Sequence, residues 1–140
     1  MTTPADLLQR NRDWAERVSR DDPQFFQRVH AALTGTRVGL ADNWLRHIGD
    51  VAQKHAAVLA EAGDEARRHA RLCELNVIEQ VVNVCQTTVA QDAWARGQPL
   101  TVHGWIYGID DGRVRELGLG VGSPDALQPA YQAALGQLSG

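Results

Sequence analysis

Hydrophobic residues near the start of the chain recur with the 3.6-residue period of an α-helix. Leu7, Trp14 and Val18 fall on one face of such a helix. The preceding "TPAD" at 3–6 is typical of a helix start, because threonine caps, proline fits the first turn and an acid favours the positive end of the dipole. We predict that residues 1–34 form a helical arm.

A second start signal, Asp22-Pro23, predicts another helix in the arm, and the glycines of "TGTRVG" at 34–39 break the pattern. We predict helices throughout 37–97, the first of them unbroken over about 41–60. One face of that helix carries Trp44, Ile48, His55 and Leu59.

The next helix is predicted from its cap Asp64, after Gly63, to about Val84. Two apolar stripes run along it: Leu75, Ile78, Val82 and Cys85, and then Val77, Val81 and Val84. A helix that is apolar over so much of its girth should be well buried. The capping-box pattern Thr88-x-x-Gln91 predicts a short helix after it, which Gly97 and Pro99 end. 

After Pro99 the hydrophobic period changes from 3.6 to two. This alternation predicts a strand over 100–107, and Asp111-Gly112 is typical of a tight turn, so we predict a hairpin over 100–117. Ser123-Pro124-Asp125 predicts a C-terminal helix over 123–138. The fold class is therefore expected to be mainly α with one β-hairpin, within a single domain over 1–140.

Composition excludes several function classes. The net charge of −3 gives no basic field for nucleic acid or an anionic membrane, and no apolar run is long enough to span a bilayer. The N-terminus has no signal-peptide pattern. With two cysteines and no export signal, we expect reduced thiols and a cytoplasmic location.

Cysteine and histidine are the residues to consider for a metal site. Cys73 and Cys85 lie twelve positions apart, about 18 Å along one helix, so they cannot share an ion within it. Cys85 completes an apolar stripe, which favours a core thiol. His69, four residues before Cys73 and one turn after Glu65, could grip a metal from one side, although a solvated helix face also explains this trio. His103 is more typical of a structural residue.

Several long segments resemble the β-class carbonic anhydrases of bacteria. The C-terminal half of that family is matched by "LCELNVIEQVVNV" (72–84), "QDAWARGQ" (91–98) and "TVHGWIYGIDDGRVRELGL" (101–119). Its helical arm and a mid-chain helix are matched by "LLQRNRDWAERVSRDDPQFFQRV" (7–29) and "NWLRHIGDVAQKH" (43–55). The resemblance implies a relative of zinc lyases that interconvert carbon dioxide and bicarbonate.

The family's zinc is held by a C-x-D-x-R motif and a downstream H-x-x-C motif, and this sequence contains neither. The gap falls near Gly35–Thr36, where the resemblance places the first core strands. We therefore expect a remnant of the α/β fold that lacks most of its parallel sheet, with no catalytic or metal-binding residue and no zinc cofactor. Tyr107 matches a tyrosine that helps hold a non-catalytic bicarbonate in some members, and it is the one candidate bicarbonate-binding residue.

Three functional hypotheses follow. The chain is expected to be catalytically inactive on its own, and to associate with itself or with a full-length carbonic anhydrase through its arm. Alternatively, it is an active carbonate dehydratase with an unrecognised metal site, for which His69, Cys73 and Cys85 are the available imidazole and thiol donors. A third hypothesis is a decayed gene product without a selected function.

Overall fold

Helices dominate the computed structural model, which describes residues 3–24 and 42–138. Within these residues one antiparallel two-stranded sheet accompanies the helices, as the hydrophobic pattern predicted. The predicted helix after Asp22-Pro23 and the break at 34–39 lie outside the described residues. No helix of the described part is long and apolar enough to cross a membrane.

The chain divides into two compact units. The first contains helix α1 (Pro4–Asp21) and residues Ile106–Arg115 of the hairpin. The second contains the other helices and the rest of the two strands. These helices are α2 (Asp42–Lys54), α3 (Ala56–Ala60), α4 (Glu65–Cys85), α5 (Thr88–Ala95) and α6 (Pro124–Leu138).

Helix α1 begins as predicted, with Thr3 as its cap. The Asp6 amide donates to the Thr3 hydroxyl at 3.2 Å, and the Thr3 amide donates to the Asp6 carboxylate at 2.8 Å. The predicted apolar face is partly wrong, because Leu7 is 48% exposed while Leu8 and Ala15 are buried. The buried face of α1 is therefore shifted by one residue from the face that its large hydrophobic side chains predicted.

The hairpin consists of β1 (Val102–Tyr107) and β2 (Val114–Val121). Its location agrees with the prediction, but its turn does not. The Gly108 amide donates to the Arg113 carbonyl at 2.8 Å, which closes a loop over 108–113 rather than a two-residue turn. Gly112 has a φ of 67°, whereas Asp111 does not adopt the positive φ that a type I′ turn requires.

The predicted unbroken helix over 41–60 is wrong, because the chain kinks at His55. This residue has φ −111° and ψ 27°, and it separates α2 from α3. Two backbone hydrogen bonds meet at this residue, from the His55 amide to the Val51 carbonyl and from the Leu59 amide to the His55 carbonyl, both at 3.1 Å. Helix α2 therefore ends and α3 begins at His55, whose side chain is buried.

Helix α4 is the central helix of the second unit, and it starts where Asp64 was predicted to cap it. The Arg67 amide donates to the Asp64 carboxylate at 2.8 Å. Of the two predicted stripes, the buried members are Leu75, Ile78, Val81 and Cys85. Val84 is 47% exposed and Val82 is only half-buried, so the expectation that α4 is covered on most sides is wrong.

Helix α5 starts one residue earlier than its capping-box pattern predicted. Thr87, not Thr88, is the cap, and its hydroxyl accepts from the Ala90 amide at 3.4 Å. The Gln91 side chain donates instead to the carbonyl of Cys85 at 2.7 Å. The two residues therefore stabilise the turn between α4 and α5 without forming the predicted reciprocal pair.

The core of the second unit lies between α4, α6 and strand β2. Its buried members are Ile78, Val81, Cys85, Leu119, Val121 and Ala134. Gly104 of β1 lets the strand approach closely, because a Cβ there would lie 3.2 Å from that of Leu119 and 3.5 Å from a Val81 methyl. Leu119 and Val121 belong to a continuation of β2 that the predicted hairpin, which ended at 117, did not include.

Candidate functional site

Glu79 is the buried acid at the centre of the second unit. Its Oε1 accepts a hydrogen bond from the Tyr131 hydroxyl at 2.7 Å and lies 2.7 Å from Nε2 of His55. Its Oε2 accepts from Nζ of Lys54 at 2.8 Å. One carboxylate therefore joins α2, the kink, α4 and α6. We call these four residues the Glu79 cluster.

Local sequence brings each member of the cluster to this point. Glu79 follows Leu75 by one helical turn on the buried side of α4, and Ile78 lies next to it in the core. Lys54 ends α2, and the kink directs the adjacent His55 inward. Tyr131 lies one turn before the buried Ala134 on α6, where a long side chain with a polar tip reaches α4.

The electrostatics of the cluster favour an ionised Glu79. Burial raises the pKa of the Glu79 carboxyl, but the hydrogen bonds from Lys54, His55 and Tyr131 outweigh it, and the net pKa lies below its usual value. The Glu79 hydrogen bond raises the pKa of Lys54. Burial and the bond to Glu79 raise the pKa of the Tyr131 hydroxyl. The cluster is therefore an ion pair with two further partners.

A small cavity of about 180 Å³ adjoins the cluster, lined by His47, Asp50, Val51, Lys54, Glu79, Gln80 and Asn83. Its walls carry both signs of charge. Glu79 already receives three hydrogen bonds, so its carboxylate is not a free charge for a ligand in this cavity.

The residues singled out for a metal site lie along α4. His69 and Cys73 are exposed, and Cys85 is fully buried. His69 and Glu65 border an open depression of about 480 Å³ at the start of the helix. Burial raises the pKa of the Cys85 thiol, and burial together with Glu74 raises that of Cys73. Neither thiol is therefore activated as a thiolate.

Tyr107 ends strand β1 in the first unit, where it is 47% exposed. Its proposed role toward bicarbonate stays a prediction. Earlier on the same strand, the ring centroids of His103 and Trp105 lie 5.8 Å apart, and the two ring planes are inclined by 47°. Among the described residues, the buried indole nitrogen of Trp105 has no hydrogen-bond partner.

Comparison with known proteins assigns the family. The model of the family described as carbonic anhydrase matches residues 27–114, more than half of the chain. The chain belongs to the carbonic anhydrase family. A curated carbonic anhydrase of Emericella nidulans (strain FGSC A4) is 40% identical over 91 residues, which are 65% of this chain and 40% of that protein.

The solved structures place the fold in the β class of carbonic anhydrases. The β-carbonic anhydrase of Coccomyxa, solved in complex with acetazolamide, superposes with a TM-score of 0.59 at 34% identity. The match covers 74% of this chain and 48% of that one. The chain thus spans less than half the length of either relative, and its helices and hairpin represent part of the α/β carbonic anhydrase fold.

Within the described residues, the donors considered from the sequence of this carbonic anhydrase relative do not fit a zinc ion. A zinc site needs three or four ligands that converge on one point. Cys73 and Cys85 lie about 18 Å apart along α4, and Cys85 belongs to the apolar core. Over 3–24 and 42–138 no three histidine, cysteine or acidic side chains are grouped to hold a metal. His69, Cys73 and Cys85 are therefore not brought together.

The Glu79 cluster was not predicted from the sequence, although one signal pointed to it. An acidic residue at position 79 interrupts the apolar side of α4, one turn after Leu75. A buried carboxylate requires paired donors, so this position alone indicated that basic or hydroxyl partners exist elsewhere. Nothing local identified Lys54, His55 and Tyr131 as those partners.

Proposed function

We propose that this chain is a carbonic anhydrase homologue that does not hydrate carbon dioxide on its own and acts by association with other carbonic anhydrase chains. The observation that supports the first part is the separation of its two thiols. One is exposed near the middle of α4, and the other is enclosed in the core at its end. The family's two zinc motifs are absent from the sequence.

Ligand chemistry connects this observation to activity. Hydration at neutral pH needs a hydroxide nucleophile, and a zinc ion supplies one by lowering the pKa of bound water from about 15.7 to about 7. The ion must first be held by deprotonated, converging ligands. Cys73 and Cys85 have raised pKa values and lie far apart. These two thiols are therefore neither readily deprotonated nor convergent on one ion.

Metal analysis and a hydration assay on the purified chain test this proposal together. We expect zinc well below one equivalent after dialysis against buffered zinc, and a stopped-flow hydration rate equal to the buffer background. A full-length carbonic anhydrase treated in parallel controls for zinc lost in handling. One equivalent of tightly bound zinc, lost together with activity in Cys73→Ala, would establish instead an active carbonate dehydratase with a new metal site.

Association with a second chain is supported by surfaces that this part of the fold leaves exposed. In the described residues the sheet has only two strands, so each strand has one edge without a partner strand. Such edges recruit further strands. Val89 at the start of α5 is 76% exposed, and Leu7 on α1 is 48% exposed. The partner proposed is a second copy of this chain or a full-length homologue, met in the cytoplasm.

Light scattering at micromolar concentration, with and without a full-length homologue, tests the association. We expect a mass above that of the 15.3 kDa chain in at least one of the two samples. Leu7→Glu and Val89→Glu, changed separately, identify which surface is used. A cooperatively melting monomer that ignores the homologue would refute the association but leave the hydration result untouched.

A further inference from the structure

The Glu79 cluster has no part in the function proposed above, yet it joins more elements than any other polar contact of the second unit that the structure describes. A carboxylate with two oxygens receives three hydrogen bonds there, from α2, the kink and α6. Burying such a group is favourable only while its partners remain in place. The cluster is therefore a point at which a change of charge alters several contacts at once.

Helix α6 depends on this point for a polar contact with α4. Its Tyr131 hydroxyl donates to Oε1 of Glu79 at 2.7 Å, across 52 residues of sequence. Its apolar attachment to the core is made by the buried Ala134 together with partly buried side chains that include Leu127, Leu135 and Leu138. Apolar contacts are weakly directional, so the tyrosine hydrogen bond adds a directional contact between α6 and α4.

We propose that Glu79 is an acid-released latch that holds α6 against α4 while its carboxylate is ionised. When a solvent proton binds the carboxylate, its negative charge is lost. The hydrogen bonds from Lys54 and Tyr131 then weaken or are broken, because a protonated carboxylic acid is a poorer acceptor than a carboxylate. Loosening of α6 would uncover Ile78 and Val121, which are now fully buried beside it.

The other charged groups around the latch set which protonation opens it. Helix α2 contributes Lys54 and, along the adjoining cavity, Asp50 and His47. The kink contributes His55. From α4 the neighbours Gln80 and Asn83 are neutral. A proton on His55 alone would convert its contact with Glu79 into an ion pair and strengthen it. The carboxylate itself is therefore the group whose protonation releases the helix.

Hydrogen exchange of the full chain, read helix by helix as protection factors, tests the latch. Tyr131→Phe removes the hydrogen bond from α6 to Glu79 and keeps Glu79 paired with Lys54 and His55. At pH 6 we expect α6 protection to fall about ten- to a hundredfold, the range for a hydrogen bond to a charged group, with smaller losses in α2 and α4. At an acidic pH where the ¹³C chemical shift of the side-chain carboxyl shows that Glu79 is protonated, the same substitution should change α6 protection by only about two- to tenfold.

Glu79→Gln gives an independent second measurement. We expect its α6 protection to be low at pH 6 and to change little down to pH 3.5, whereas the exposed control Glu61→Gln keeps the wild-type profile. An equal loss in all helices, or a Tyr131→Phe effect that is the same at both pH values, would overturn the latch. If Glu79→Gln does not fold, the two-pH comparison with Tyr131→Phe decides alone.

Discussion

The side chain of Asn11 completes the backbone hydrogen bonding of Val114, a residue 103 positions further along the chain. Its Oδ1 accepts from the Val114 amide at 2.7 Å, and its Nδ2 donates to the Gly112 carbonyl at 3.1 Å. One amide group thus takes the place of a neighbouring strand at the start of β2. Arg113, 3.5 Å from Glu16, adds an exposed ion pair to the same contact.

Removing this amide should destabilise the first unit. Asn11→Ala leaves a partly buried amide and carbonyl of the hairpin without partners, and we expect the free energy of unfolding to fall by about 1–3 kcal/mol. Urea denaturation measures the change. Gln9→Ala is the matched control, because the Gln9 amide bonds only to Asp13 on the same exposed helix face. An equal, small effect of both substitutions would contradict a role for Asn11 beyond α1.

The cap of α5 distinguishes two adjacent threonines. Thr87→Ala removes the bond to the Ala90 amide and a second bond that the hydroxyl donates to the Val84 carbonyl at 2.7 Å. We expect it to cost about 0.5–2 kcal/mol. Thr88→Ala, the control, should lie within about 0.5 kcal/mol of wild type. Thermal melting of both variants provides the test, and a larger effect at Thr88 would restore the capping box predicted from sequence.

Two aliphatic residues of α4 should differ strongly in their contribution to stability. Ile78 is fully buried, so Ile78→Ala leaves a cavity, and we expect a loss of about 2–5 kcal/mol. Val84→Ala, at an exposed position of the same helix, should cost less than about 0.5 kcal/mol. Denaturant titration of the two variants measures both values. A large loss at Val84 would mean that a partner chain covers it in solution.

Alkaline pH should also weaken the Glu79 cluster. The pKa values of Lys54 and Tyr131 are raised in the folded chain, so their contribution is complete below the unfolded values of about 10.5 and 10. It is lost as the pH rises through the higher folded values. We expect the free energy of unfolding to decline above about pH 10, and less steeply in Tyr131→Phe.

The exposed Tyr107→Phe serves as the control for that experiment. Its decline above pH 10 should follow the wild type, since only Tyr131 bonds to Glu79. Unfolding by urea at a series of pH values between 8 and 11 is the measurement. Parallel curves for all three proteins would show that ionisation of Tyr131 is not linked to folding.

Features set by neighbouring residues were predictable from the sequence. The caps Thr3 and Asp64 and the hairpin region follow from contacts within a few positions, which side-chain chemistry determines. The continuation of β2 was missed because Gly118 and Gly120 interrupt the alternation on which the prediction relied. Gly118 has a φ of 64°, and the strand continues past it to the buried Val121.

Features set by distant partners were not predictable. The kink at His55 separates two segments whose hydrophobic period is continuous, and its side chain meets Glu79, 24 residues away. Exposure of Val84 depends on which elements pack against α4, which periodicity along one helix does not report. The family followed from long motifs, whereas the Glu79 cluster depends on three separate segments that only the folded chain brings together.

The two cysteines differ in exposure, so the number of thiols that react in one molecule reports whether its core is closed or open. A thiol reagent meets Cys73 at the surface of the native chain, while Cys85 is enclosed by core side chains. A molecule that has stayed closed therefore gains one adduct, and one whose core has opened gains two. Intact-mass spectrometry would resolve these two forms in a mixture, including mixtures with an unlabelled partner, without a spectroscopic tag or a substitution.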